Sequence, residues 1–132
     1  MKNPWKKLIL SARRSAAPGQ VKKNGIKRTQ PLEVSITDTY LQKQFCSQGG
    51  KCYWTGFPIN PQGVFESHNP LAPSLERLDD QKGYIPGNVV IALRLFNLGR
   101  QSCPESKFKD QVQSLKDHFS GKDMRNSLEK ML

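Results

Sequence analysis

Residues 73–100 constrain the fold of this chain more than any other segment does. Leu75–Leu78 can form a short strand, and "DDQKGYIPGN" follows, in which Asp, Gly, Pro and Asn favour turns. The next residues, "VVIAL" at 89–93, are a β-branched apolar run typical of a buried strand. "RLFNLGR" then looks like the first turns of a helix. The segment therefore predicts a strand, a loop, a second strand and a helix in succession.

A helix is predicted at the N-terminus of the chain. Asn3 is a good helix cap and Pro4 suits a first helical turn. Four apolar residues then fall on one helical face, and most of the neighbouring charges lie off it: Trp5, Leu8, Ile9 and Ala12. This helix can therefore dock through its apolar face and present its charges to solvent or to phosphate.

The remaining elements are predicted from caps, turns and periodicity. A second helix begins near Ser35 or Thr37 and ends at Gly49-Gly50. "KCYW" predicts a short strand, and residues 60–73 predict a long irregular loop. A longer helix begins at residues 103–105, and a last short helix is capped by Asp123. Together these elements indicate an α+β protein.

The positive charge of the chain is concentrated at its N-terminus. The formal net charge is +10, and residues 1–30 hold nine Lys or Arg and no acid. A polyanion partner, most often a nucleic acid, explains such a segment, although a solvated basic tail is the alternative. Eight of these residues are candidates for nucleic-acid binding: Lys6, Lys7, Arg13, Arg14, Lys22, Lys23, Lys27 and Arg28.

The cysteines and the hydropathy pattern exclude several classes of protein. Cys46, Cys52 and Cys103 are odd in number and contain no C-x-x-C pair, so neither a disulfide framework nor a zinc site is expected. No apolar run approaches a membrane span, and no signal-peptide pattern follows the start. A reducing cytoplasm is therefore the expected location.

The polar residues of 73–100 fit a phosphodiester-cleaving site. In a strand–loop–strand–helix unit, acidic residues at the end of the first strand can meet an Asn of the helix. Carboxylate and amide oxygens are ligands suited to Mg²⁺ or Mn²⁺. Such an ion could hold a phosphate and stabilise the charge on a leaving oxygen.

Residues 51–100 resemble the phage-type HNH endonucleases, the ββα-metal group that includes the endonuclease VII-like enzymes. The shared pattern begins with "CYWTGFP" at residues 52–58 and continues through "PSLERLD", "KGY" and "GNV" to Asn97. The resemblance implies a ββα-metal unit at about 51–100, flanked by helices and by a basic N-terminal arm. It divides the chain into an arm at 1–30 and an HNH-like nuclease domain with C-terminal helices at 31–132.

The resemblance also implies roles for matching residues. The metal-binding Asp of the family falls on Glu76 and the helix Asn falls on Asn97, with Asp79 as a further metal ligand. The general-base His of the family has no match, because its place falls on Arg77 or Asp79. Asp79 could accept a proton, whereas Arg77 stays protonated and could clamp a phosphate. His68 is the one His near enough in sequence to act as a substitute base.

Each of these residues also has an interpretation without chemistry. Glu76 and Arg77 can form a surface ion pair, and Asp79 with Asp80 can shape a turn. Asn97 can be a cap or cause a bend. Structural roles are expected for three residues of the loop between the strands: Gly83, Tyr84 and Asn88.

Two functions of different classes follow from these observations. The first is a phage-encoded, metal-dependent HNH endonuclease that cleaves or nicks DNA, with Mg²⁺ or Mn²⁺ as its cofactor. The second is a weak or inactive HNH-fold protein that binds nucleic acid or a host protein, since loss of a general base costs about 10²–10⁴ in rate. A basic nucleoid or ribosome-associated protein without a site is a third interpretation. DNA is the expected partner, RNA is left open, and a homodimer is a possible assembly.

Overall fold

The protein is described here by a computed structural model, which covers residues 2–22 and 25–121. These residues form a small mixed structure of helices and a two-stranded antiparallel sheet, so the predicted α+β class is confirmed. The elements in chain order are α1 (Pro4–Ala16), α2 (Asp38–Ser47), a 3-10 helix (Pro61–Phe65), β1 (Pro73–Arg77), β2 (Val89–Leu93), α3 (Arg94–Arg100) and α4 (Glu105–Phe119).

The chain divides into two compact units, Met1–Ser102 and Cys103–Leu132. The first unit contains α1 to α3 and both strands, so the basic N-terminal helix belongs to the same unit as the hairpin. In the second unit, Phe108 and Val112 of α4 are buried. The helix predicted after Asp123 lies outside the described residues.

The hairpin of β1 and β2 is followed directly by α3, as the sequence predicts. The strands pair antiparallel, with Pro73 opposite Leu93 and Arg77 opposite Val89. Every residue of β2 is buried, because this strand lies within the hydrophobic core. The continuous apolar run "VVIAL" is typical of a strand that is covered on both faces.

Side chains and a neighbouring loop cover the outer edge of β2. The Gln48 side-chain amide donates to the Ile91 carbonyl at 2.7 Å and accepts from the Ile91 N–H at 3.0 Å. The Tyr40 hydroxyl donates to the Val89 carbonyl at 2.9 Å. The Tyr53 N–H donates to the Ile91 carbonyl at 3.0 Å. This edge therefore has its hydrogen bonds satisfied without a third strand.

Helix α1 is docked on the folded unit by its apolar face. The Asn3 side chain caps the helix, accepting from the Trp5 N–H at 3.0 Å. The Trp5 ring packs on Phe45 with centroids 5.3 Å apart, and its Nε1 donates to Gln42 Oε1 at 2.7 Å. The predicted apolar face is confirmed, because all of its members are buried: Trp5, Leu8, Ile9 and Ala12.

A short hairpin follows α1 and returns the chain to that helix. The Lys22 N–H donates to the Ile26 carbonyl, and the Arg28 N–H donates to the Gln20 carbonyl at 2.7 Å. Arg28 Nε donates to the Ser15 carbonyl of α1 at 3.2 Å. We call this segment after α1, residues 17–22 and 25–32, the arm, and these contacts hold it against α1.

Two local predictions were wrong. "KCYW" forms no strand, and only an isolated bridge joins Lys51 to Pro58, because the chain reverses at Gly56 with a φ of 73°. The loop at 60–73 contains the 3-10 helix, which begins where the Asn60 side chain accepts from the Gln62 N–H.

Within the described residues, no helix has the length and apolar character needed to cross a membrane.

Candidate functional site

A polar face joins β1 to α3. Alternation along a strand places the side chains of Ser74 and Glu76 on the same face of β1. Asn97 and Arg100 lie one turn apart on α3, so they too share a face. The two faces meet, because Asn97 Nδ2 donates to Ser74 Oγ and Arg100 Nη1 donates to Glu76 Oε1 at 2.7 Å.

Glu76 and Arg100 form a buried ion pair. The side chains are 0% and 3% exposed, respectively. Trp54 closes one side of the pair, since its ring lies 5.3 Å from the Arg100 guanidinium. Arg100 also donates to the Arg77 and Leu78 carbonyls at 3.0 and 3.1 Å. The arginine therefore neutralises Glu76 and satisfies the carbonyls at the end of β1.

The three residues proposed as metal ligands do not fit a divalent ion in this arrangement. The Glu76 carboxylate is already paired with the Arg100 guanidinium. The Asn97 side chain is engaged as well, because its Nδ2 also donates to the Leu75 carbonyl at 3.1 Å. Asp79 is exposed, and its Oδ1 accepts from the Gln81 N–H at 2.9 Å. Within residues 2–22 and 25–121, no three or more His, Cys, Asp or Glu side chains are grouped as a metal site. Binding at Glu76 would require displacement of Arg100.

Arg77 supports the loop between the strands. Its Nη1 donates to the carbonyls of Asp80 and Lys82 at 2.8 and 2.9 Å, and its guanidinium lies 5.4 Å from the Tyr84 ring. The expected surface ion pair between Glu76 and Arg77 is wrong, because Glu76 is buried and pairs with Arg100.

The same loop is held by Asn88 and Tyr84. Asn88 Oδ1 accepts from the Asp79 N–H at 2.8 Å, and Nδ2 donates to the Asp79 and Gly83 carbonyls at 3.1 and 2.9 Å. The Tyr84 N–H donates to the Glu33 carbonyl at 2.8 Å. A Cβ on Gly83 would lie 2.3 Å from that carbonyl oxygen, so only glycine allows this approach.

A basic groove of about 380 Å³ lies beside the start of β1. Its charged and polar lining includes Lys7, Glu66, His68 and Arg94, so that two cations face one carboxylate, and Ser74 adds a hydroxyl; we call it the His68 groove. His68 is exposed and has a φ of 55°. Asp79 follows the opposite end of β1, and a five-residue strand spans roughly 13 Å. The structure therefore places His68 near Ser74 and not beside Asp79.

A second concavity, of about 420 Å³, lies at the other end of β1. We call it the Arg28 pocket. The arm contributes Lys22, Arg28 and Leu32, the loop between the strands contributes Asp79 to Gln81, and Arg77 and Ser102 complete the lining.

The exposed basic candidates lie on α1 and on the arm. Four of them are exposed on α1: Lys6, Lys7, Arg13 and Arg14. Lys27 is exposed on the arm, and Lys23 lies outside the described residues.

Arg100 and Trp54 are the site residues that sequence reasoning missed. The available signal was the spacing of Arg100 and Asn97, which places both on one face of α3. The burial of Arg100 is a tertiary property that no local pattern reveals.

No family model matches this chain, and neither does any curated protein or solved structure.

Proposed function

We propose that this chain is a nucleic-acid-binding protein, in which α1 and the arm hold the phosphate backbone beside an HNH-like ββα unit. One observation carries the proposal. The basic N-terminal residues are packed on the unit that contains the hairpin, and they line concavities at both ends of β1. A charged surface that is held in place binds phosphates at a lower entropic cost than a mobile tail does.

The arrangement of charge supports this function. Lys6, Lys7, Arg13 and Arg14 project to solvent because the opposite face of α1 is buried. Lys7 also lines the His68 groove, where Arg94 adds a second cation beside the one carboxylate of Glu66. Contacts to phosphate of this kind give affinity without sequence specificity, and the affinity falls steeply with salt.

Removal of four charges from α1 tests the proposal. The variant Lys6→Ala/Lys7→Ala/Arg13→Ala/Arg14→Ala should keep its fold, because these side chains are exposed and Ala favours helices. Its affinity for a 20-base-pair duplex should fall by about 10²-fold or more, because four phosphate contacts and their counterion release are lost. The slope of log K against log salt should fall by about 3.6 if all four contact phosphates, since each contributes about 0.9. Fluorescence anisotropy over a salt series measures both quantities.

The matched control removes four exposed lysines elsewhere in the chain: Lys43, Lys51, Lys107 and Lys116. This variant has the same net charge as the α1 variant. It should bind the duplex with a salt slope close to that of the wild type. Equal losses in the two variants would mean that net charge alone drives association, and the proposal would be abandoned.

Metal-dependent endonuclease activity is the second candidate function. The order β1, β2, α3, with Asn97 facing β1, favours it, and so does the resemblance to HNH endonucleases. The geometry around Glu76 supports it less, because the carboxylate that would hold the ion holds Arg100. We therefore derive no catalytic step from these residues.

A plasmid assay separates the two candidates. Purified protein incubated with supercoiled plasmid and either Mg²⁺ or Mn²⁺ should produce no nicked circles above the EDTA background, because Glu76 is already paired. Gel electrophoresis of the plasmid measures this. Nicking that is lost in Asp79→Ala and retained in Asp110→Ala, an exposed aspartate of α4, would establish the endonuclease instead.

A further inference from the structure

The Arg28 pocket contains three cations without a carboxylate partner. Arg28 donates through Nε to the Ser15 carbonyl, and Arg77 donates through Nη1 to two loop carbonyls. In the part of the chain that the structure describes, Lys22, Arg28 and Arg77 form no ion pair with a carboxylate. The hydrogen bonds of both guanidiniums therefore go to neutral carbonyls, and the carboxylates of Asp79 and Asp80, which line the same pocket, form no ion pair with them.

The two guanidiniums also act on each other. Burial lowers the pKa of Arg28, the nearby charge of Arg77 lowers it further, and Tyr84 opposes the shift. Like charges at short range repel, and an anion between them would convert that repulsion into two attractions. A phosphate suits such a place because guanidinium groups can bind it in a bidentate manner.

The loop between the strands offers an acceptor to the same pocket. Asp80 lines the pocket, and its Oδ1 is buried without a hydrogen-bond partner. A buried carboxylate oxygen without a donor costs free energy, which a donor brought in by a ligand would recover. The amino groups of adenine, cytosine and guanine are such donors. Uracil and thymine lack that amino group, and their one imide N–H lies between two carbonyl oxygens that repel a carboxylate.

We infer that the Arg28 pocket holds one unpaired nucleotide of a bound strand. Its phosphate lies against Arg28 and Arg77, and the amino group of its base donates to Asp80. The volume of about 420 Å³ is within the range of roughly 300–1,000 Å³ that is usual for small-ligand sites. This inference rests on the proposed function and adds to it a preference for bases that carry an amino group.

Two single-stranded octamers test the inference, one of deoxycytidine and one of deoxyuridine. Wild-type protein should bind the deoxycytidine octamer about tenfold more tightly, which is the lower part of the range for a base-specific contact. Asp80→Asn should reduce this ratio to about twofold or less, because the amide is uncharged and can donate to the uracil carbonyl. Asp110→Asn makes the same charge change on α4 and should keep the full ratio.

Arg28→Gln tests the phosphate contact separately. This variant should weaken binding of both octamers equally and lower the salt slope by about 0.7, the value for one phosphate of a single strand. Thermal unfolding of each variant checks that the fold is retained. Free cytidine 5′-monophosphate should bind at least about 100-fold more weakly than the octamer, because it lacks the contacts to α1.

Each result tests either the nucleotide site in the Arg28 pocket or the proposed nucleic-acid binding of the whole protein. Equal wild-type binding of the octamers, or a ratio that survives Asp80→Asn, would overturn the inference and leave nucleic-acid binding in place. Free nucleotide binding as tight as that of the octamer would also overturn it, since no strand would be needed. Failure to bind either octamer or the duplex would overturn the proposed function itself.

Discussion

Replacement of Arg100 by methionine is expected to lower the free energy of unfolding by about 3–5 kcal/mol, the usual cost of removing one member of a buried ion pair. The carboxylate of Glu76 is 0% exposed and would lose the guanidinium that lies 2.7 Å away. The Arg77 and Leu78 carbonyls would lose their donor as well. Urea unfolding followed by the fluorescence of Trp5 and Trp54 measures the loss in the unit that contains them.

A double variant and a control distinguish the causes of this loss. Glu76→Leu/Arg100→Met should recover about half of the lost stability, because it removes the buried charge but leaves the two carbonyls without a donor. Arg94→Met changes an exposed arginine of the same helix and should cost at most about 0.5 kcal/mol. If Arg100→Met cost no more than this control, Glu76 would have to be hydrated, and a metal site there would become tenable.

Gly83→Ala is expected to lower the free energy of unfolding by about 2–4 kcal/mol, combining overpacking with the loss of backbone hydrogen bonds. The added Cβ would lie 2.3 Å from the Glu33 carbonyl oxygen and 2.9 Å from the Glu33 nitrogen. Both are backbone atoms, so no side-chain rotation relieves the clash. The hydrogen bonds that Tyr84 makes to Glu33 and Ser35, at 2.8 and 3.0 Å, would be broken.

Gly99→Ala is the matched control for this substitution. Gly99 lies in α3, and a Cβ there would meet nothing within 4 Å. The change should stabilise the protein by about 0.5–1 kcal/mol, because Ala has the higher helix propensity. Urea unfolding under the same conditions compares the two variants. A Gly83→Ala protein as stable as the wild type would show that the segment around Glu33 is not docked on Tyr84.

The sequence predicted the elements whose signals are local. The cap at Asn3 and the spacing of apolar residues indicated α1, and the apolar run at 89–93 indicated β2. The short strand at "KCYW" was wrong because the turn at Gly56 has a stronger effect than β-propensity. In all of these segments the deciding residues are close in the sequence, and the error at "KCYW" lay in the relative weight of a turn and of β-propensity.

The candidate site was less predictable than the fold. Residues that match a family pattern can be located in a sequence, but the pattern does not show what each side chain contacts. Glu76 matches a ligand position, yet its environment depends on Trp54 and Arg100, which come from other elements. The Arg28 pocket likewise combines the arm with a loop about 50 positions away in the sequence, a distance over which periodicity carries no information.

The covered edges of the hairpin limit how copies of this chain can assemble. An open edge recruits strands from other molecules and leads to extended sheets. Here the Gln48 amide occupies the Ile91 backbone groups, and Asn97 and Arg100 occupy the Leu75 and Arg77 carbonyls. Contacts between two copies would therefore have to use side-chain surfaces, whose strength responds to salt and to point substitution. A continuous intermolecular sheet through this hairpin would first have to break these hydrogen bonds.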